Sequence, residues 1–236
     1  MRKLFFVVLI IAPVLSNAQG KWDQKFEQLG TMIPSANSYR TASGAPGKDY
    51  WQQKVDYVIQ VELNDENQSI SGEEEITYLN NSPDGLDYLW VQLDQNMRGN
   101  SSDTPLITNS GMPEKISGKG LQNLTNDFDF DGGFKIIDVN TVNQKPLKYF
   151  INKTMMRVDL PETLEPGKKY TFNIDWSFNV QDRMNMGGRS GYEYFPKDDN
   201  YLYTIAQWFP RMAVYDDLEG WQNKQFTLAL PLPIMN

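Results

Sequence analysis

The chain is predicted to be an all-β domain, an antiparallel β-sandwich or saddle-like sheet, and three features predict it. In residues 170–180, Tyr170, Phe172, Ile174, Trp176, Phe178 and Val180 alternate with Thr171, Asn173, Asp175, Ser177 and Asn179. Apolar residues at period two cannot share one face of a helix, so one side of this strand is core and the other is wet. Residues 55–63 repeat the pattern, with Val55, Tyr57, Ile59, Val61 and Leu63 on one face and Asp56, Gln60 and Glu62 on the other. Strand-sized segments then alternate with turn clusters through most of the chain, with almost no helical periodicity.

The elements follow in order. Residues 1–18 have a basic start (Arg2, Lys3), an apolar run and the small residues Ser16, Asn17 and Ala18, which is the pattern of a secretory signal peptide cleaved after Ala18. The apolar run is too short, and is broken by Pro13, for a membrane span. Residues 19–49 read as a short helix carrying Trp22, Phe26 and Leu29, stopped by Gly30, and then an extended linker rich in Pro, Ser, Gly and Asn. The β domain is assigned to 50–236.

Within it, strands are expected at 55–63, 69–79 and 86–93, the last apolar on both faces and therefore central and covered on both sides. Residues 96–125 read as a long loop with a short strand. Further strands are expected at 134–139, 147–151, 154–160 and 170–180, with a turn at 161–169 marked by Pro166 and Gly167. Residues 201–209 (YLYTIAQWF) are β-branched and aromatic and end at Pro210, which cannot donate to a ladder. A short apolar piece at 212–215 leads into a turn at 216–220.

Composition excludes whole classes of chemistry. The 236-residue chain carries a net charge of −8 with no His and no Cys. Losing Arg2 and Lys3 with the leader lowers it to −10. No basic stripe is present, so nucleic acid is not an expected partner. Without Cys there are no disulfides, thiolate nucleophiles or cysteine-linked lipid anchors, which fits a secreted or periplasmic bacterial protein. Without His there is no Ser-His-Asp triad and no H-E-x-x-H zinc helix.

Residues 190–221 hold the densest cluster of candidate residues. Arg211 precedes Asp216 and Asp217 in an aromatic loop after a strand, where binding groups usually sit. The simpler account is an ion pair between Arg211 and one of those aspartates, pinning the loop. Asp127, Asp129 and Asp131, followed by Gly132 and with Asp138 at the twelfth position, imitate a calcium loop. Lys135 at the ninth position, Asp in place of the bidentate Glu, and strand-like flanks oppose that reading. Glu73, Glu74 and Glu75 lie in one strand, with Glu74 opposite its neighbours, and read as a solvated face. A carboxylate pair for glycoside hydrolysis has no support beyond their presence.

Two blocks resemble a known family. FEQLG, NSYRTASGAPGKDYWQQKVDYVIQVELNDENQSISGEEEITYLNNSPDGLDYLWVQLDQNM and, later, LEPGKKYTFNIDWSF, SGYEYF and YTIAQWFPRMAVYDDLEGW are similar to the amino-terminal β domain of secreted bacterial aminopeptidase N-like zinc metallopeptidases. The resemblance covers roughly 26–97 and 164–221. It implies a saddle-like domain that packs on its own thermolysin-like catalytic domain, where zinc is bound in full-length relatives. This chain carries no zinc helix, so no catalytic or metal residue is assigned to it and no cofactor is expected in it.

The resemblance also implies that one Gln or Glu of this domain helps to hold the free amine of the peptide substrate. Gln207 matches, one residue closer to Arg211 than in the best-known members, and a neutral amide oxygen can accept from an ammonium without ionising. Arg211, Asp216 and Asp217 are implied to be structural. The terminal TLALPLPIMN departs from the expected continuation and reads as a truncated or frame-shifted product. The alternative is a stand-alone binding module for carbohydrate or another surface polymer, prompted by the many Trp and Tyr residues.

Overall fold

The structure is a computed structural model that describes residues 36–103, 115, 118, 130–186 and 190–226. The leader, the helix expected at 21–29 and Asp127 and Asp129 lie outside the described residues. The all-β expectation holds. The strands are β1 (Lys54–Asn64), β2 (Ser69–Leu79), β3 (Leu86–Gln92), β4 (Lys135–Thr141), β5 (Tyr149–Asn152), β6 (Met155–Leu164), β7 (Lys169–Asn179), β8 (Gly191–Phe195), β9 (Asn200–Thr204), β10 (Arg211–Met212), β11 (Tyr215–Asp216) and β12 (Gly220–Trp221). Helical structure among the described residues includes a 3-10 turn at Asp94–Arg98 and one turn of helix at Arg183–Met186. No helix among the described residues is long and apolar enough to cross a membrane.

Two four-stranded antiparallel sheets form the body, ordered β1-β2-β7-β4 and β10-β3-β6-β5. Hairpins β8-β9 and β11-β12 complete it. The period-two pattern decides which side chains meet between the sheets. Ile76, Phe172, Ile174, Trp176 and Val139 of the first sheet join Leu89, Val91, Met156 and Val158 of the second in one core. β2 and β7 pair without interruption from Ser69↔Asn179 to Leu79↔Lys169.

Gly72 lies opposite Trp176 in that ladder. A Cβ at Gly72 would overlap the indole of Trp176, so this strand glycine makes the space the largest core side chain fills. Asn80, just past β2, is fully buried and fully used. Its Nδ2 donates to the carbonyls of Asp84 (2.7 Å) and Leu164 (2.9 Å), and its Oδ1 accepts from Gln53 Nε2 (3.1 Å) and Ser82 Oγ (2.6 Å). The amide thereby ties the turn after β2 to the end of β6.

Several expectations are corrected. β3 is internal to its sheet, but only its inner row is fully buried. Tyr88 and Trp90 on its outer row are half-buried, Tyr88 beneath the Arg157 guanidinium at 4.0 Å. β6 runs through Pro161 to Leu164, into the stretch expected to be turn. The register with β3 slips between Leu86 and Tyr88, and at such a bulge a proline's missing N–H removes nothing from the ladder. The strand expected at 201–209 stops at Thr204, because Gln207 adopts a left-handed φ of 53°.

Glu74 is the largest departure. It faces the core, between Ile59 and Ile174 in register, is 2% exposed, and neither carboxyl oxygen has a partner. Burial alone pushes its carboxyl up to about 9. The neighbouring Tyr57 is pushed up to about 12, chiefly by burial, although its oxygen accepts the Met212 N–H at 2.8 Å.

Glu74 therefore stays protonated in the fold while the unfolded chain ionises near the ordinary value of 4.5. Between those two values the native state holds the extra proton, so stability falls as pH rises from about 4.5 to about 9. Glu74→Met is expected to remove this slope and to raise stability at pH 8 by on the order of several kcal/mol. Urea melts of both proteins across that pH range measure it. Gly72→Ala is expected to cost about 1–3 kcal/mol in the same assay, because the indole has nowhere to move.

Candidate functional site

The sequence cluster at 190–221 divides into two places in the structure. The first is the segment from Ile205 to Pro210, between β9 and β10. Its apolar side chains anchor it. Trp208 meets Trp176 at 6.1 Å and Phe209 at 4.9 Å between ring centroids, and Phe209 meets Tyr57 edge-on at 5.4 Å. Between these anchors Gln207 takes its left-handed φ, which costs a residue other than glycine roughly 1 kcal/mol or more.

Gln95 holds that conformation. Its Nε2 donates to the carbonyls of Ala206 (2.7 Å) and Gln207 (3.2 Å), and its Oε1 accepts from Arg98 Nη1 at 2.9 Å. Gln95 is buried, and Arg98 is half-buried, which lowers its guanidinium pKa. The Gln207 side chain is half-buried on the rim of this clamp.

Arg211 opens β10 and reaches Asp94, with Nη2 donating to Oδ2 at 2.6 Å. This replaces the expected pairing with Asp216 or Asp217. Asp94 is 2% exposed, whereas the Arg211 side chain keeps part of its surface in water. Burial pulls the Asp94 carboxyl up, and the charge and hydrogen bond of Arg211 only partly oppose it. Asp94 Oδ1 and Arg211 Nε are buried without partners among the described residues. Desolvation therefore outweighs attraction on the carboxylate side of this pair.

Asp216 and Asp217 belong to the second place, the β11-β12 turn. Asp216 caps it, accepting from the N–H groups of Leu218 and Glu219 at 3.0 Å each and from Gln222 Nε2 at 3.2 Å. Asp217 is gripped by Arg40, which precedes β1 and whose Nε lies 2.9 and 2.8 Å from its two oxygens. Those hydrogen bonds pull the Asp217 carboxyl below its ordinary range. Beside this pair a cleft of about 420 Å³ runs between the segment before β1 and residues 212–216, walled by Tyr50, Trp51, Tyr78 and Tyr215. Trp51 stacks on Tyr215 at 5.7 Å and 25°.

Of the calcium-like residues only Asp131 and Asp138 are described. Asp131 Oδ1 accepts the Gly133 N–H at 3.2 Å, a local turn contact. Asp138 stands across from Asp175 on the outer face of the first sheet. No group of three or more His, Cys, Asp or Glu among the described residues could hold a metal ion.

Asp94, Gln95 and Arg98 were not singled out from the sequence. Their signal was a charged and amide run, DQNMR, placed directly after an apolar strand. The partners of Asp94 and Gln95 beyond this turn are more than a hundred residues away.

No family model matches the chain, and no curated protein matches it. Among solved structures it is similar to a two-domain M1 zinc metallopeptidase bound to L-tryptophan, at 12% identity over 58% of this chain and 23% of that one, with a TM-score of 0.34. It is similar to an M1 zinc metallopeptidase from Deinococcus radiodurans at 12% identity over 63% and 25%, with a TM-score of 0.35. The chain thus spans about a quarter of the length of those proteins. Overlaps at this identity and TM-score decide neither family nor activity.

Arg211→Met leaves Asp94 buried without its cation and is expected to cost about 3 kcal/mol at neutral pH. Adding Asp94→Asn to that variant is expected to recover part of the loss. A double-mutant cycle in urea measures both. Recovery is absent if the pair does not interact.

Proposed function

We propose that the chain is the non-catalytic amino-terminal β domain of an exported aminopeptidase N-like zinc metallopeptidase. In this reading it scaffolds its own catalytic domain and offers Gln207 to the substrate's amino terminus. The sequence blocks on both sides of 98–163 support the reading, together with the all-β architecture those blocks imply. The observation that carries the Gln207 role is its geometry. The residue sits on a left-handed turn whose backbone carbonyls Gln95 bonds, which fixes where its side chain leaves the chain. An amide oxygen there can accept from an ammonium at any pH where the amine is charged. Arg211 and Asp94 act behind it, by fixing the strand that follows.

Zinc belongs to the catalytic domain in this proposal and would activate water there. The chain supplies no ligand to it. Leader, arm and β domain would follow one another at 1–18, 19–49 and 50–236, with export to the periplasm or beyond.

The purified chain is expected to leave aminoacyl reporter substrates intact, with or without added zinc. Chelator-sensitive hydrolysis would overturn the proposal. In amide-resolved NMR, a peptide with a free amine is expected to shift the Gln207 side-chain amide signals weakly, while its N-acetylated form leaves them in place. Equal shifts from both peptides would remove the amine-binding role.

One observation favours a second reading, a carbohydrate-binding module. It is the aromatic cleft at Trp51 and Tyr215, since stacked rings on a concave surface suit sugar faces. Trp208 is not part of that cleft. A glycan array with wild type and Trp51→Ala separates the two readings.

A further inference from the structure

We propose that β1 pairs with β1 of a second copy of this chain, joining two four-stranded sheets into one sheet of eight across a two-fold axis. β1 is an edge strand, bonded only to β2. It pairs with β2 through every residue from Lys54 to Asn64 with no bulge, and it contains no proline. The other described edges of the two large sheets are blunted. β4 is broken by a register shift between Ile136 and Asp138, β5 has four residues and β10 has two. A long, regular edge with unspent backbone groups is a template for another strand.

Three large apolar side chains of this edge stand exposed among Lys54, Asp56, Gln60 and Glu62. Val58 is 64% exposed, Val61 50% and Leu63 44%. Val61 and Leu63 continue the inner row of Val55, Tyr57 and Ile59 beyond the part covered by the facing sheet. The chain itself leaves about half of each exposed.

The sequence of β1 also names its occupant. Two antiparallel copies centred on Val58 place Lys54 opposite Glu62 in both halves, and each of these side chains is exposed. The same register sets Val58 against Val58, Tyr57 against Ile59, Val55 against Val61, and Asp56 against Gln60. No like charges face each other directly. Moving the centre by one residue to Ile59 would set Asp56 against Glu62, a repulsive pair. Lys54 also bridges Asp56 of its own strand at 3.0 Å, and charge complementarity favours the Val58-centred pairing over the one centred on Ile59. The isologous contact closes on itself, as a two-fold interface must. This inference does not depend on the peptidase reading, since it uses no residue of the Gln207 loop.

The test uses the full chain in sedimentation equilibrium and in oxidative cross-linking. The wild type is expected to show a reversible species of twice the chain mass. Lys54→Glu is expected to weaken the dimer about tenfold, and the exchange Lys54→Glu with Glu62→Lys to restore it. The chain has no cysteine, so single cysteines report position without ambiguity. Val58→Cys lies on the axis, with Cα atoms about 4.5–5.5 Å apart, inside the roughly 4.4–6.8 Å that a disulfide spans. It is expected to form a covalent dimer, whereas Val61→Cys, paired with Val55, is not. A wild type that stays monomeric at every concentration overturns the proposal. So does a dimer indifferent to charge exchange, or one that cross-links equally through either cysteine.

Discussion

The pairing of β2 with β7 is the constraint on which the rest of the structure depends. These strands adjoin in space but are separated by most of the domain in sequence, and their register runs unbroken from Ser69↔Asn179 to Leu79↔Lys169. Alternation turns that register into chemistry. A slip of one residue would carry Phe172, Ile174 and Trp176 to the wet face and Asn173 and Asp175 into the core. Gly72 enforces the correct alignment, because only a residue without Cβ can face the indole of Trp176. β1 and β4 add to the two sides of this pair, and the second sheet packs on the row of side chains it sets.

The same register delivers Glu74 to the interior. An unpartnered carboxyl there is costly, and the fold tolerates it by keeping the proton. Three consecutive glutamates cannot all face water on a strand, so one must turn inward. Glu73 and Glu75 line the outer face, where Glu73, Asp175 and Asp138 stand in one row across three strands. Burial, followed by the charges of Glu73 and Asp138, holds the Asp175 carboxyl above its ordinary value. Acidic composition is thus concentrated on one broad face of the first sheet.

The Gln207 loop shows how a scaffold fixes a polar group that lies outside its ladders. Trp208 and Phe209 spend their area on the core, which leaves the backbone between β9 and β10 little freedom. The remaining choice, the left-handed turn at Gln207, is settled by two hydrogen bonds from the Gln95 side chain. Gln95 and Asp94 share one 3-10 turn, so the clamp on the loop and the counter-ion of Arg211 move as one unit. The Arg40–Asp217 pair plays the corresponding part for the β11-β12 turn and ties the segment before β1 to the domain.

The sequence by itself determined the all-β class, the strands from Lys54 to Asn179 to within a few residues, and the inward face of the strand at 170–180. Period-two alternation is a local property, and at 170–180 and 55–63 it has no helical rival. Gln207, Arg211, Asp216 and Asp217 stood in one aromatic stretch of the sequence, but the structure divides them between two places. Only the tertiary structure decided their partners. Arg211 turned to Asp94 and Asp217 to Arg40, each far away in the chain, because an ion pair forms between groups the sheets bring together and not between neighbours in sequence. Glu74 followed the same rule. Its side-chain direction was readable from the strand, but whether that direction met water or a packed core depended on a second sheet that no local pattern contains.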